Sequence, residues 1–79
     1  MTRFNAQTIA QWTDLATAWL APHNLTPAAI LTGRDAWTVA ARCGINDHAY
    51  SDRTVTDGHI QTALQSVFPN AVFEDRKVY

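Results

Sequence analysis

Two apolar stripes with helical spacing, each followed by a proline, constrain the fold of this chain more than any other feature of the sequence. Apolar residues recur at intervals of three and four from Ala6 to Leu20, and the same spacing returns between residues 57 and 68. Pro22 and Pro69 end these segments, because proline has no backbone N–H to donate and disfavours helical geometry in the residue before it. In a chain of only 79 residues, two such helices predict one small domain whose core forms where their apolar faces meet.

Each helix also begins after a residue suited to the N-cap position. Asn5 and Thr56 have side-chain oxygens that can accept hydrogen bonds from the free backbone N–H groups of the first turn. The core-facing positions that the spacing predicts are Ile9, Trp12, Ala16, Trp19 and Leu20 in the first helix, and Ile60, Ala63, Leu64, Val67 and Phe68 in the last.

The middle of the chain allows two interpretations. Thr26 and Pro27 are typical of a helix start and predict a short helix that ends at Gly33. Residues 36 to 43 fit a helix capped by Asp35 and closed by Gly44, but they also alternate in side-chain type as a strand does. Because alanine and arginine favour helices, we expect a helix here.

The fold class that follows is a small single domain over residues 1–79, mainly α, with three to four short helices. The final residues, AVFEDRKVY, predict a short C-terminal β-strand or hairpin, or a partly ordered tail in its place. If residues 36 to 43 form a strand instead of a helix, that strand would pair with the C-terminal one and the domain would be α+β.

Charge and cysteine content limit the classes of partner and compartment. Six basic residues oppose seven acidic ones and are spread along the chain, so there is no basic stripe of the kind that gives nucleic-acid binders much of their affinity. A lone cysteine excludes an internal disulfide and favours a reducing compartment, so we expect a cytoplasmic protein. No apolar run approaches the roughly 18 residues of a membrane span, and no membrane association is expected.

Residues 39 to 46, VAARCGIN, resemble the corresponding segment of helix-turn-helix repressors of the lac-repressor type. In that motif a small residue lies four positions before a glycine, so that two helices can cross closely and the glycine can form the turn. The resemblance gives these two roles to Ala40 and Gly44, and makes Ile45 the apolar residue after the turn, Asn46 the polar cap of a reading helix and Tyr50 its inward-facing residue. It implies a dimeric DNA-binding regulator that reads bases with residues 46 to 53.

The charges of that reading segment oppose a DNA partner. Asp47 and Asp52 lie in it beside His48 and Arg53, and carboxylates in the groove would repel phosphate. A protein partner is therefore preferred, with DNA as the alternative.

Metal and catalytic chemistries have little support in the sequence. Cys43, His23, His48 and His59 lack the close ligand pairs of structural zinc sites, and Cys43 falls on the apolar side of either secondary-structure interpretation, where thiols are usually inert. Asp47, Asp52 and Asp57 are five residues apart, a spacing that fits no calcium loop. We expect no enzyme activity, no metal and no cofactor.

The function expected is therefore that of a small non-enzymatic protein-binding or regulatory module. In size and composition alone the chain is similar to short inhibitors from phages and mobile elements, including anti-CRISPR proteins, and such a protein would act by steric occlusion of a larger protein or complex. Exposed tyrosine beside arginine is typical of interface hot spots. The predicted partner-binding residues are Arg42, Asn46, His48, Tyr50, Arg53, Arg76 and Lys77. The alternative is the helix-turn-helix transcriptional regulator, and the oligomeric state stays open.

Overall fold

The fold is a small bundle of helices, as the sequence predicts. A computed structural model describes residues 4–51 and 53–73. The elements in chain order are α1 (Ala6–Leu20), a 3-10 turn (Ala21–His23), a second 3-10 turn (Pro27–Ala29), α2 (Gly33–Arg42), α3 (Ile45–Ala49) and α4 (Asp57–Val67). Within the described ranges the only β-structure is one isolated parallel bridge, between Thr32 and Val72. The prediction of a mainly α domain is confirmed.

The caps of the two long helices are the ones that the sequence predicts. Asn5 Oδ1 accepts a hydrogen bond from the backbone N–H of Thr8 at 2.8 Å, which satisfies one free donor of the first turn of α1. At α4, Thr56 Oγ1 accepts from the N–H of His59, while His59 Nδ1 accepts in return from the N–H of Thr56 at 3.2 Å. The imidazole thus takes the place that glutamate or glutamine usually has in a capping box.

The core forms where α1 packs against α4, with α2 and α3 closing one side. All five positions predicted for α4 are buried, and in α1 the predicted stripe places Trp12, Ala16 and Leu20 in the core with Ile9 and Trp19 half-buried beside it. The buried apolar residues are Trp12, Ala16, Leu20, Ile30, Ala36, Val39, Ala40, Ile45, Ala49, Val55, Ile60, Ala63, Leu64, Val67, Phe68 and Ala71.

The strand alternative for residues 36 to 43 is wrong, because this stretch lies almost wholly in α2. The buried residues Ala36, Val39 and Ala40 have helical spacing, whereas Ala41, which a strand would bury with Val39, is exposed. Asp35 is not the cap either. Thr32 Oγ1 accepts from the N–H of Asp35 at 3.1 Å, so the helix begins three residues earlier in the chain than Asp35 would allow.

Where the sequence predicts a helix from Thr26 to Gly33, the structure has only one 3-10 turn, Pro27–Ala29. Ile30 and Thr32 are extended, and the N–H of Val72 donates to the carbonyl of Leu31 at 3.1 Å. The N–H of Gly33 donates to the carbonyl of Val72 at 2.8 Å, which completes the bridge. This bridge is all that the structure describes of the predicted C-terminal strand or hairpin, since residues 74–79 lie outside the described part.

Close packing at the start of α2 makes Gly33 sensitive to substitution. A Cβ atom on Gly33 would lie 2.7 Å from Phe73 Cδ2 and 3.0 Å from Phe73 Cα, and the backbone contact cannot relax by a side-chain rotation. We expect Gly33→Ala to lower the free energy of unfolding by about 1–3 kcal/mol, the usual cost of overpacking.

Gly58→Ala in α4 is the matched control, because its added Cβ would meet only Thr56 Oγ1 at 3.7 Å. We expect it to be neutral or to raise stability by up to about 1 kcal/mol. Urea unfolding followed by circular dichroism measures both variants. Equal changes in the two proteins would contradict the tight contact between Gly33 and Phe73.

Candidate interaction surface at helix α3

Gly44 forms the turn between α2 and α3 in a left-handed conformation, with φ +93°. Ala40 and Ile45 on either side of it are fully buried, as the helix-turn-helix resemblance implies. α3 starts at once after the glycine, and Gly44 itself is its N-cap.

This early start changes the register of α3, so two of the roles implied by the resemblance are wrong. Asn46 lies inside the helix and does not cap it. Tyr50 points outward with 46% of its surface exposed, and Ala49 is the residue that faces the core.

A hydrogen bond between α1 and α3 joins residues 36 positions apart. Trp12 Nε1–H donates to His48 Nδ1 at 3.0 Å, and the two rings meet edge to face at 88°. Trp12 is only 1% exposed, and the ring of Phe4 packs over it with a centroid distance of 4.6 Å. Because an indole N–H can only donate, His48 Nδ1 is the acceptor in this bond.

A second side-chain hydrogen bond joins the end of α3 to the start of α4. The Tyr50 hydroxyl donates to the Asp57 carboxylate, and the Tyr50 backbone N–H donates to the carbonyl of Asn46 at 2.9 Å. The bond to the Asp57 carboxylate, followed by burial and the carboxylate charge, raises the pKa of Tyr50 to about 12. The exposed ring is therefore held at its backbone and at its hydroxyl.

Four of the predicted partner-binding residues are exposed on the surface. Arg42 is exposed in the last turn of α2, and His48, Tyr50 and Arg53 are exposed on or after α3. Asn46 is half-buried, and its Oδ1 atom is buried with no hydrogen-bond partner in the described structure. The other two, Arg76 and Lys77, lie outside the described residues. We call the exposed set Arg42, His48, Tyr50 and Arg53 the Tyr50 face.

The residues considered for a metal or thiol site have separate structural roles. Cys43 packs half-buried against the core, and burial raises the pKa of its thiol. The ring of His23 lies on Trp19 at a centroid distance of 4.8 Å, while His48 bonds Trp12 and His59 caps α4. Across residues 4–51 and 53–73, no three His, Cys, Asp or Glu side chains form a group that could hold a metal ion.

Sequence reasoning missed both of the side-chain bonds that position α3. Nothing local marks Trp12 and His48 as partners, because they meet only through the packing of α1 on α3. A shallow depression of about 360 Å³ was missed too; it runs along the outer face of α4 and is lined by Gln61, Thr62, Gln65 and Ser66. Exposed Leu31 and Val72, beside the isolated bridge, form a further surface that the spacing did not single out.

Comparisons with protein-family models, with curated proteins and with solved structures each found no match for the chain. Among the described residues there is no helix with the length and apolar character needed to cross a membrane.

The titration of Tyr50 tests its bond to Asp57. A folded pKa of about 12, above the ordinary 10.0, means that the folded state holds the phenolic proton more tightly than the unfolded state does. The bond's contribution to stability is then complete below pH 10 and is lost as the pH rises towards 12. Tyrosinate absorbance, in a Tyr79→Phe background that leaves one tyrosine, measures the pKa directly.

Asp57→Ala should return the pKa of Tyr50 towards 10.0, because it removes both the acceptor and its charge. Asp35→Ala is the control, since Asp35 also lies in the first turn of a helix but makes no bond to Tyr50. If Tyr50 titrates at its ordinary value in the parent protein, the bond does not form in solution.

Proposed function

We propose that this chain is a small non-enzymatic module that binds another protein through the Tyr50 face. The observation that carries the proposal is the fixed exposure of Tyr50. The residue is 46% exposed, yet its backbone closes α3 and its hydroxyl donates to Asp57 on α4. An aromatic side chain held in place on the surface loses little conformational freedom when a partner covers it.

The neighbours of Tyr50 suit a protein interface. Arg42 and Arg53 are exposed close to it in the chain, and tyrosine and arginine are the residue types enriched at interface hot spots. The ring can supply apolar contact area, while the guanidinium groups can donate paired hydrogen bonds to carboxylates or carbonyls of the partner. The exposed Asp47 in α3 adds a negative charge, so the face suits a partner surface of mixed charge.

The chemistry of the site favours binding over catalysis. The thiol of Cys43 has a raised pKa, which lowers the fraction of the nucleophilic thiolate at neutral pH. His48 uses one ring nitrogen to accept from Trp12, and His59 uses one to complete the cap of α4. Through the Tyr50 face, a domain of this size would act on a larger partner by covering part of its surface, as a regulatory module or inhibitor does. The lone cysteine suits the reducing cytoplasm.

Affinity capture with matched variants tests the proposal. The tagged full chain is used as bait in a lysate of the organism that encodes it, beside Tyr50→Ala with Arg53→Glu, and beside Arg34→Glu. Arg34 is the control because it is an exposed arginine at the opposite end of α2. Loss of a hot-spot tyrosine and reversal of an arginine should reduce recovery of a specific partner by about 30-fold or more.

The Arg34→Glu chain should recover the same partner as the parent chain, since the charge change is the same but the face is intact. Equal recovery by the double variant, with its fold verified by circular dichroism, would remove the Tyr50 face as the binding surface.

DNA binding is the second candidate, and the left-handed turn at Gly44 between two helices favours it. Buried Ala40 and Ile45 complete that part of the pattern. Two features oppose DNA binding. Helix α3 has five residues, which is little more than one turn, and the carboxylate of Asp47 on it is exposed.

Retention on random-sequence duplex DNA at two salt concentrations separates the two candidates. A DNA-binding protein is retained at low salt and released as the salt rises, because binding displaces counterions from phosphate. We expect no retention at low salt. Salt-sensitive retention that Arg42→Glu abolishes would favour the regulator over the protein-binding module.

A further inference from the structure

Helix α3, which ends at the proposed binding residue Tyr50, has only five residues, and two side-chain hydrogen bonds tie it and Tyr50 to other helices in the part of the chain that the structure describes. Its five residues bury only one large side chain, Ile45, together with the methyl group of Ala49. Helices shorter than about 12 residues do not hold together by their own hydrogen bonds, so α3 depends on its tertiary contacts. Two of these contacts are the side-chain hydrogen bonds from Trp12 to His48 and from Tyr50 to Asp57.

Two further features lower the stability of the packing of α3 against the other helices. The Oδ1 atom of Asn46 is buried without a hydrogen-bond partner in the described structure, and burying such an acceptor without a partner costs free energy. Gly44 joins α3 to α2 in a left-handed conformation, and apart from its two chain neighbours no residue comes within 4 Å of where a Cβ atom would lie. Gly44 therefore adds no side-chain packing of its own at the joint, whereas its neighbours Cys43 and Ile45 pack against or within the core.

From this geometry we infer that α3 is a hinged element that opens about Gly44 while α1, α2 and α4 stay folded. The Trp12–His48 and Tyr50–Asp57 hydrogen bonds act as two latches that keep it closed. Opening releases Asn46 Oδ1 to water, which offsets part of the loss of the Ile45 contacts. It also detaches Tyr50 from Asp57 and uncovers the indole of Trp12.

Opening of α3 would regulate the Tyr50 face, and this consequence rests on the proposed function. A partner that binds only the closed arrangement binds the fraction of molecules in which α3 is closed. Its apparent affinity is therefore its intrinsic affinity multiplied by that closed fraction. A bound partner would in turn hold α3 shut. The opening itself belongs to the free chain and can be measured without any partner, so its failure and the failure of the proposed function are distinguishable.

Amide hydrogen exchange followed by NMR on the free full-length chain measures this opening. The probes are the amides of His48, Tyr50 and Ser51, which donate to the carbonyls of Gly44, Asn46 and His48. We expect their protection factors to be at least tenfold below those of the buried part of α4, and to be insensitive to low urea. Equal protection in α3 and α4, with the same response to urea, would overturn the inference, because α3 would then open only when the whole domain unfolds.

Variants of the two latches identify what holds α3 closed. His48→Leu cannot accept from Trp12, whereas His48→Asn offers an oxygen near the position of Nδ1. We expect His48→Leu and Tyr50→Phe each to speed exchange at the α3 probes about 3- to 10-fold, the usual effect of one hydrogen bond, and His48→Asn to restore part of the loss. α4 should be unaffected in all three.

Thr62→Ala is the control, because it removes a surface hydrogen bond within α4, from Thr62 Oγ1 to the Gly58 carbonyl, and leaves α3 untouched. Exchange at the α3 probes that is unchanged by both latch variants would overturn the role of the latches. A variant that unfolds globally is recognised by lost protection in α4, and the comparison within the parent chain then still decides whether α3 opens separately.

Discussion

The indole N–H of Trp12 imposes the constraint on which the arrangement around α3 depends. A tryptophan that is only 1% exposed contributes a large apolar surface to the core, but it also brings one donor that must find an acceptor there. His48 Nδ1 is that acceptor, and it is on α3. α3 therefore has to lie against α1, and this position brings Ile45 and Ala49 into the core and turns Tyr50 outward.

The long helices could be predicted from the sequence because their signals are local. In each of α1 and α4, the N-cap residue (Asn5 or Thr56) and the apolar positions lie within the helix or directly before it. No contact with a distant segment changes where these two helices begin. The start of α2 was not predicted, because two neighbouring residues could each serve as its cap. Thr32 and Asp35 are both N-cap residue types, and the structure uses Thr32, whose Oγ1 accepts from the N–H of Asp35. Contacts about 40 residues apart in the sequence, Phe73 against Gly33 and Val72 beside Leu31, lie at this helix start, and no local pattern indicates them.

The candidate site shows the same division between local and distant signals. Exposure of Arg42 and Arg53 follows from their charge and could be predicted. The orientation of Tyr50 could not, since it depends on α3 beginning one residue after Gly44, and its bond to Asp57 depends on how α3 meets α4. Cys43 and His48 are close in sequence, yet the structure gives them unrelated roles, because one packs on the core and the other serves a tryptophan from another helix.

A direct test of this account detects the Trp12–His48 hydrogen bond in solution. In protein labelled with nitrogen-15, an N–H···N bond transmits a scalar coupling from the donor nitrogen to the acceptor nitrogen. The account predicts such a coupling between Trp12 Nε1 and His48 Nδ1, together with slow solvent exchange of the Trp12 indole proton. An indole proton that exchanges as fast as in free tryptophan, with no coupling to His48, would contradict it.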